Sequence, residues 1–221
     1  MAYLALDDHD YDEAENIFRF VLQGRTATIG ETDRLTIESL HAVGWIHYLK
    51  NEFRDAKVIE KKVFELARQE LGPFDQLTVG AIWTLALITG ALAEYEEELS
   101  WRQMLLEIST SQNGNQHLEA IQAQCNLALA LRHLKRFAEA RELDRSALDS
   151  AEQIDAKPEI LIEIKQALVE DYVGEEDWES AELLLNEIFD EGLRDLDPSS
   201  ELRQVLKKNE RKYRRAMRRG S

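Results

Sequence analysis

The chain has 221 residues, 44% of them hydrophobic and 32% charged, with only three prolines and ten glycines. That length can bury roughly 70% of the unfolded surface as a compact domain or an extended array, and the scarcity of breakers argues against strand-and-turn architectures. The net charge of −16 disfavours a nucleic-acid-binding body, and the single cysteine, Cys125, excludes an internal disulfide and suits a reducing compartment.

The N-terminal stretch MAYLALDDHDYDEAE lacks a basic region and a long apolar core, so no signal peptide is expected. No apolar run approaches the ~18 residues of a membrane helix, and the expected location is cytoplasmic. The first landmark is Tyr11. Phe53, Tyr95, Phe137 and Trp178 follow it at spacings of 42, 42, 42 and 41 residues. Three positions after four of these aromatics stands an alanine: Ala14, Ala56, Ala140 and Ala181. Seven positions after come Phe18, Glu60, Arg102, Asp144 and Leu185, and ten after come Val21, Val63, Leu105, Ala147 and Ile188. These offsets share one helical face, on which a small residue lets a neighbouring helix approach.

Ten and nine positions before four of the aromatics lie Val43-Gly44, Leu85-Ala86, Leu127-Ala128 and Leu168-Val169, pairs suited to a close helix crossing. Each unit therefore reads as helix A, a short turn, helix B and a linking loop. The loop is written twice, as TIGETDRLTIE and ELGPFDQLTVG, with Gly30, Asp33, Leu35 and Thr36 in register with Gly72, Asp75, Leu77 and Thr78. Gly72 reads as a helix terminus tolerant of positive φ, Pro73 blocks continuation, and Asp75 and Thr78 stand where the next helix needs a cap. The phrase lacks the second glycine and the Lys-Ser/Thr pair of a phosphate loop.

Two units depart from the pattern. In the third, Glu98 replaces the alanine and Arg102 follows at i+4, a spacing at which the two could pair; either helix B packs more loosely there or the register shifts locally. The first begins too late to hold a full helix A, as expected either of a piece of a longer array or of an array whose first unit is degenerate. The last segment, 199–221, carries nine Lys/Arg and two Asp/Glu, a balance of +7 that leaves −23 on the rest. Its apolar residues Leu202, Val205, Leu206, Tyr213, Ala216 and Met217 recur at helical spacing. A basic amphipathic helix is predicted there, either capping the array or meeting a partner.

The register resembles the tetratricopeptide repeat: a small residue in helix A, an aromatic opening helix B and an alanine three residues later. The period of 42 and the LGP…D…T linker are similar to the form found in kinesin light chains. They are also similar to the C-terminal arrays of signalling NTPases of the NB-ARC type. The resemblance implies an all-α, right-handed superhelical solenoid of about five helix pairs over residues 1–198, with a C-terminal capping helix over 199–221. It also implies a concave groove, lined by the A helices, that holds an extended peptide or a partner helix. In that register the groove-facing residues are Glu38, His41, Trp45, Tyr48 and Leu49, then Trp83 and Leu87, then Cys125, Leu129, Arg132 and His133, then Gln166 and Glu170. Trp45 and Trp83 either anchor a partner or pack on the neighbouring repeat. Asn126 matches the asparagine of the family's peptide-binding grooves, but Ala42, Thr84 and Ala167 stand at the equivalent positions, so a carboxylate clamp is not expected.

No GxGxxG, GxSxG or HExxH motif occurs, and His41 and His47, six residues apart, point in different directions. The expectation is a protein that is not an enzyme, with no cofactor, no metal and no catalytic residues. It would be an interaction module binding a basic or amphipathic segment in an acidic, aromatic-lined groove. The alternative is a self-associating or autoinhibited sensor array from a larger signalling NTPase, with the C-terminal helix as a route to a homo-oligomer. Nucleic acid and membrane partners are not expected.

Overall fold

Five helices open on the five periodic aromatics. A computed structural model describes residues 10–189 and 201–220. Its helices are α1 (Tyr11–Ile29), α2 (Arg34–Leu49), α3 (Phe53–Glu70), α4 (Gln76–Ala91), α5 (Tyr95–Asn113), α6 (Leu118–His133), α7 (Phe137–Gln153), α8 (Pro158–Gly174), α9 (Trp178–Glu187) and α10 (Glu201–Gly220). No strand occurs among the described residues, and none of their helices is long and apolar enough to cross a membrane. The expected start of the first repeat lies outside the described residues, as do the side chains of Leu202, Val205, Leu206, Ala216 and Met217.

Local signals set the helix ends. The Asp33 and Asp75 side chains accept from the backbone N–H of Leu35 and Leu77 at 2.8 and 2.9 Å, capping α2 and α4. Pro158 opens α8 at a position where its missing N–H costs nothing. Gly30, Gly72 and Gly114, in the first three linkers from a helix B to the next helix A, have φ of 92°, 97° and 79°, and in the fourth Asp155 has φ of 52° without a glycine. The Thr78 hydroxyl donates to the Gly72 carbonyl at 2.7 Å, so the threonine of the repeated phrase fastens the loop while Asp75 caps the helix.

The turns from helix A to helix B are also left-handed, but without glycine. Asn51, Ala93, Lys135 and Glu176, each two residues before an aromatic, have φ of 61°, 58°, 58° and 61°. In each turn the following residue donates its N–H back into helix A: Glu52 to His47, Glu94 to Thr89, Arg136 to Leu131 and Asp177 to Tyr172, all at 2.8–2.9 Å. This is the double backbone closure of a Schellman-type helix end.

Two units are resolved by their contacts, Met1–Leu105 and Leu106–Ser221. In the first, Ala14, Phe18, Val43 and Ile46 form one cluster with Tyr11, Leu22, Ala42 and Ile59 at its margin. In the second, Ile121, Ala147, Ala151 and Ile164 form one cluster. Ile162, Leu168, Val169, Tyr172, Ala181, Leu185, Ile188 and Tyr213 form another. Every alanine three positions after an aromatic is fully buried, as are Val43, Leu85, Ala86, Ala128 and Val169 at the crossing positions of the A helices.

Tyr213 brings α10 into that last cluster. Its hydroxyl donates to Glu170 at 2.8 Å, and Asn209 Nδ2 donates to Gln166 at 3.0 Å. Arg214 meets Asn186 of α9 at 3.0 Å.

A left-handed conformation disfavours a β-carbon by about 1 kcal/mol. Replacing Lys135 by glycine is therefore expected to stabilise the chain by ~0.5 kcal/mol after the added entropy of the unfolded glycine is subtracted. Urea denaturation checks this; a destabilised Lys135→Gly variant contradicts it.

Candidate functional site

In the first unit, helices α2 and α4 are the A helices of consecutive repeats. Their facing sides leave a cleft of about 480 Å³ lined by Phe18, Glu38, His41, Ala42, Trp45, Leu77, Gly80, Trp83 and Thr84. Trp45 stacks on Tyr48 with ring centroids 4.9 Å apart and meets Trp83 at 5.8 Å. Tyr48 continues to Phe53 at 5.6 Å. Trp83 is 43% exposed, a large apolar surface open to solvent inside a concave wall. Trp45 and Trp83 thus touch each other and also line the cleft. Glu38 stands at its edge, 3.3 Å from Arg34, which in turn pairs with Asp75 at 2.7 Å.

His41 joins this cleft to the core. Its Nδ1 lies 2.9 Å from Oε2 of Glu60, whose side chain is fully buried on α3. Gly44, one turn along α2, makes room for that carboxylate, because a β-carbon there would lie 2.3 Å from Glu60 Oε1. Burial works to lower the His41 pKa, but the hydrogen bond and charge of Glu60 outweigh it and raise the imidazole above its ordinary value. Burial in turn raises Glu60, more than His41 lowers it. The pair therefore holds on to a proton that its unfolded counterparts release.

The second unit has a smaller cleft, about 310 Å³, at the equivalent place between α6 and α8. It is lined by Ile121, Gln122, Cys125, Asn126, Ile160, Glu163, Ile164 and Ala167. Gln122, Cys125 and Asn126 are two periods beyond Glu38, His41 and Ala42. Burial, then the charge of Asp144, pushes the Cys125 thiol up to about 12, which leaves it unreactive.

The remaining expected groove residues are placed differently. Leu87 is half-buried on α4, and Leu129 and His133 are exposed on α6. Arg132 is turned into the protein: its Nη1 lies 2.5 Å from Asp144 and 3.2 Å from Asp171, both fully buried. Glu170 accepts from Tyr213. Burial raises Asp171 up to about 7, only partly offset by Arg132, and raises Asp144 as well.

In the third repeat, Arg102 lies 3.6 Å from Glu98, and both are buried, so the two pair across one turn of α5. One further donor group, Glu15, His47 and Glu52, brings three possible metal ligands within 4.8 Å of one another. Cations of the protein already serve it: Lys50 bonds Glu15 at 2.9 Å, and Arg19 lies 2.7 Å from Glu15 and 2.8 Å from His47 Nε2. The grouping is a charge network.

Helix pairs stacked A, B, A, B with clefts between successive A helices define an all-α repeat solenoid. The sequence pattern of the tetratricopeptide repeat matches residues 1–69 and 78–153, and the chain belongs to the tetratricopeptide repeat family, whose members typically serve as protein-interaction modules and are generally non-catalytic. Among solved structures it resembles a kinesin-light-chain protein of Podosopora anserina with nearly identical TPR-like repeats. That match has a TM-score of 0.76 and 16% identity and covers 85% of this chain and 89% of the other. BtubC (BKLC) from P. vanneervenii matches with a TM-score of 0.75 and 16% identity, over 90% of this chain and 81% of its own. The apo form of RapI matches with a TM-score of 0.74 and 16% identity, over 94% of this chain and 60% of its own. These likenesses concern the fold. No curated protein gives a sequence match.

Two titrations follow. In Glu60→Gln the His41 pKa, read by NMR, is expected to fall below its value in the parent chain; an unchanged value contradicts the pairing. Asp171 holds a proton in the folded chain up to about pH 7 but loses it near 3.8 when unfolded. The folded state binds more protons across that window, so stability falls as pH rises through it. Urea unfolding from pH 5 to pH 8 is expected to show this fall, and Asp171→Asn is expected to flatten it.

Proposed function

We propose that this chain is a non-catalytic protein-interaction module whose primary contact is the aromatic cleft between α2 and α4. The observation that carries the reading is Trp83, 43% exposed, beside Trp45 in a cleft of about 480 Å³. Large rigid aromatics in a concave wall are the residues that dominate binding energies, since they bury much area and lose little side-chain freedom. The occupant fitted by this chemistry is a peptide or helix with one apolar or aromatic anchor and nearby Lys or Arg. The anchor covers Trp45 and Trp83, and the cations face Glu38 and a body whose charge is −23 outside the last segment. Asn126 and Gln122 give the second cleft amide groups for the backbone of a bound segment. Leu87, Leu129 and His133 contribute surface beside the clefts.

A Rap protein of similar fold has been solved complexed with Competence and Sporulation Factor, at a TM-score of 0.58 and 12% identity. It is consistent with a scaffold of this class that takes a bound factor. Residues 1–198 form the solenoid in this reading. Helix α10 takes the place of a further helix A and covers the end of the α8–α9 pair through Tyr213.

A fluorescent array of Lys/Arg-rich peptides carrying single aromatic or aliphatic residues tests the assignment. The tightest binder is expected to weaken at least ~30-fold in the Trp45→Ala/Trp83→Ala variant, from the roughly 2 kcal/mol that an anchor residue supplies. Circular dichroism of the variant checks that the helices persist. Undiminished binding by the folded variant removes the cleft from the mechanism.

A further inference from the structure

Helix α10 has two unlike faces. One carries Asn209, Tyr213 and Arg214, which meet α8 and α9. The other carries Lys207, Lys208, Arg211 and Arg215, all exposed and none in an ion pair with another described residue. Lys207, Arg211 and Arg215 recur every fourth residue, a row about 12 Å long at 1.5 Å per residue. Like charges at this spacing disfavour the helix that carries them, and an anionic surface laid along the row relieves the repulsion.

Three kinds of anionic surface could meet such a row: nucleic acid, an anionic membrane and an acidic protein. No aromatic residue stands among the four exposed cations, so nothing there stacks on bases. The face that bears Tyr213 is packed on α8 and α9, so it is not available for insertion into lipid. The sequence outside the last segment, at −23, repels any extended polyanion but is itself an acidic protein surface. A second copy of this chain satisfies both charges at once. In a two-fold pair each cationic row meets the other copy's acidic body, and the same contact is made twice.

We propose that the exposed cationic face of α10 docks on the acidic body of a second copy, giving a reciprocal, salt-sensitive dimer. Its charged contacts are solvent-accessible and screened within about 10 Å at 0.1 M salt, so association is strong only at low ionic strength.

The test is sedimentation velocity of the full chain at 50 and 500 mM sodium chloride, with a Lys207→Glu/Lys208→Glu/Arg211→Glu/Arg215→Glu variant that leaves Asn209, Tyr213 and Arg214 in place. The expected result is a concentration-dependent dimer at low salt whose dissociation constant rises at least ~10-fold at high salt. The folded variant is expected to stay monomeric at both salts. A full chain that is monomeric at low salt up to 100 µM overturns the proposal, as does a dimer indifferent to salt and to the charge reversal. Retention of a duplex oligonucleotide or of phosphatidylserine vesicles by the full chain while it remains monomeric assigns the face to that ligand instead, and also overturns it. A variant that unfolds is replaced by the Lys207→Gln/Lys208→Gln/Arg211→Gln/Arg215→Gln variant, which removes the charge and keeps helix-forming side chains. Its failure to weaken the dimer counts against the proposal in the same way.

Discussion

Each repeat carries the residue seven positions after its aromatic into a buried seat, and in three consecutive repeats that seat holds a charge. Glu60 and Asp144 are fully buried and Arg102 nearly so. An unpaired charge in such a place costs several kcal/mol, so each one dictates residues elsewhere. Glu60 requires His41 on α2 and a glycine at position 44, where a β-carbon would overlap its carboxylate. Arg102 requires Glu98, which displaces the alanine of the repeat. Asp144 shares Arg132 with Asp171 of the next helix A. The first and last described B helices, with Phe18 and Leu185 in the same seat, need no such partners. The apparent lapses of the repeat are compensations for a charged core position.

The fold was legible because one spacing repeats through the whole chain. All five aromatics open a helix, and the three linker glycines have the positive φ their positions require. The turns at Asn51, Ala93, Lys135 and Glu176 were not legible, because only Asn51 is of a type that favours the left-handed region. There the packing of helix A on helix B sets the backbone, and residue preference is overridden. The aromatic cleft was half legible. Trp83 follows Trp45 by one period less one helical turn, which places the two rings side by side on neighbouring A helices. Arg132 was hidden for the opposite reason. Its own helix puts it near the groove, but the carboxylates that turn it inward come from α7 and α8, and nothing local to α6 announces them.

The two clefts separate what the scaffold keeps from what it varies. Glu38, His41 and Ala42 face Gly80 and Thr84 in one unit, and Gln122, Cys125 and Asn126 face Glu163 and Ala167 in the other. The backbone seats are equivalent. The walls are aromatic in the first and aliphatic with amides in the second, and the volumes differ, at about 480 and 310 Å³. Core and cleft share some residues: Phe18 and Ala42 in the first unit and Ile121 and Ile164 in the second line a cleft and also belong to or border a buried cluster, so the side chains free to change are the exposed ones, such as Trp83 and Gln122. His41 is tied to the core by charge, since it is both a cleft wall and the partner of the buried Glu60.

Charge is therefore handled in two regimes. Inside, each ionised group meets a fixed partner at short range, where the solvent's ions cannot enter, and its behaviour is set by protons: His41, Glu60 and Asp171 all hold theirs beyond their ordinary range. Outside, Lys207, Lys208, Arg211 and Arg215 of α10 form no ion pair with another described residue, and their behaviour is set by salt. Proton concentration and ionic strength thus act on different parts of the molecule. A change that follows pH but not salt reports on the buried pairs. A change that follows salt but not pH between about pH 5 and 8 reports on the α10 surface, because lysine, arginine and exposed carboxylates keep their charge across that range.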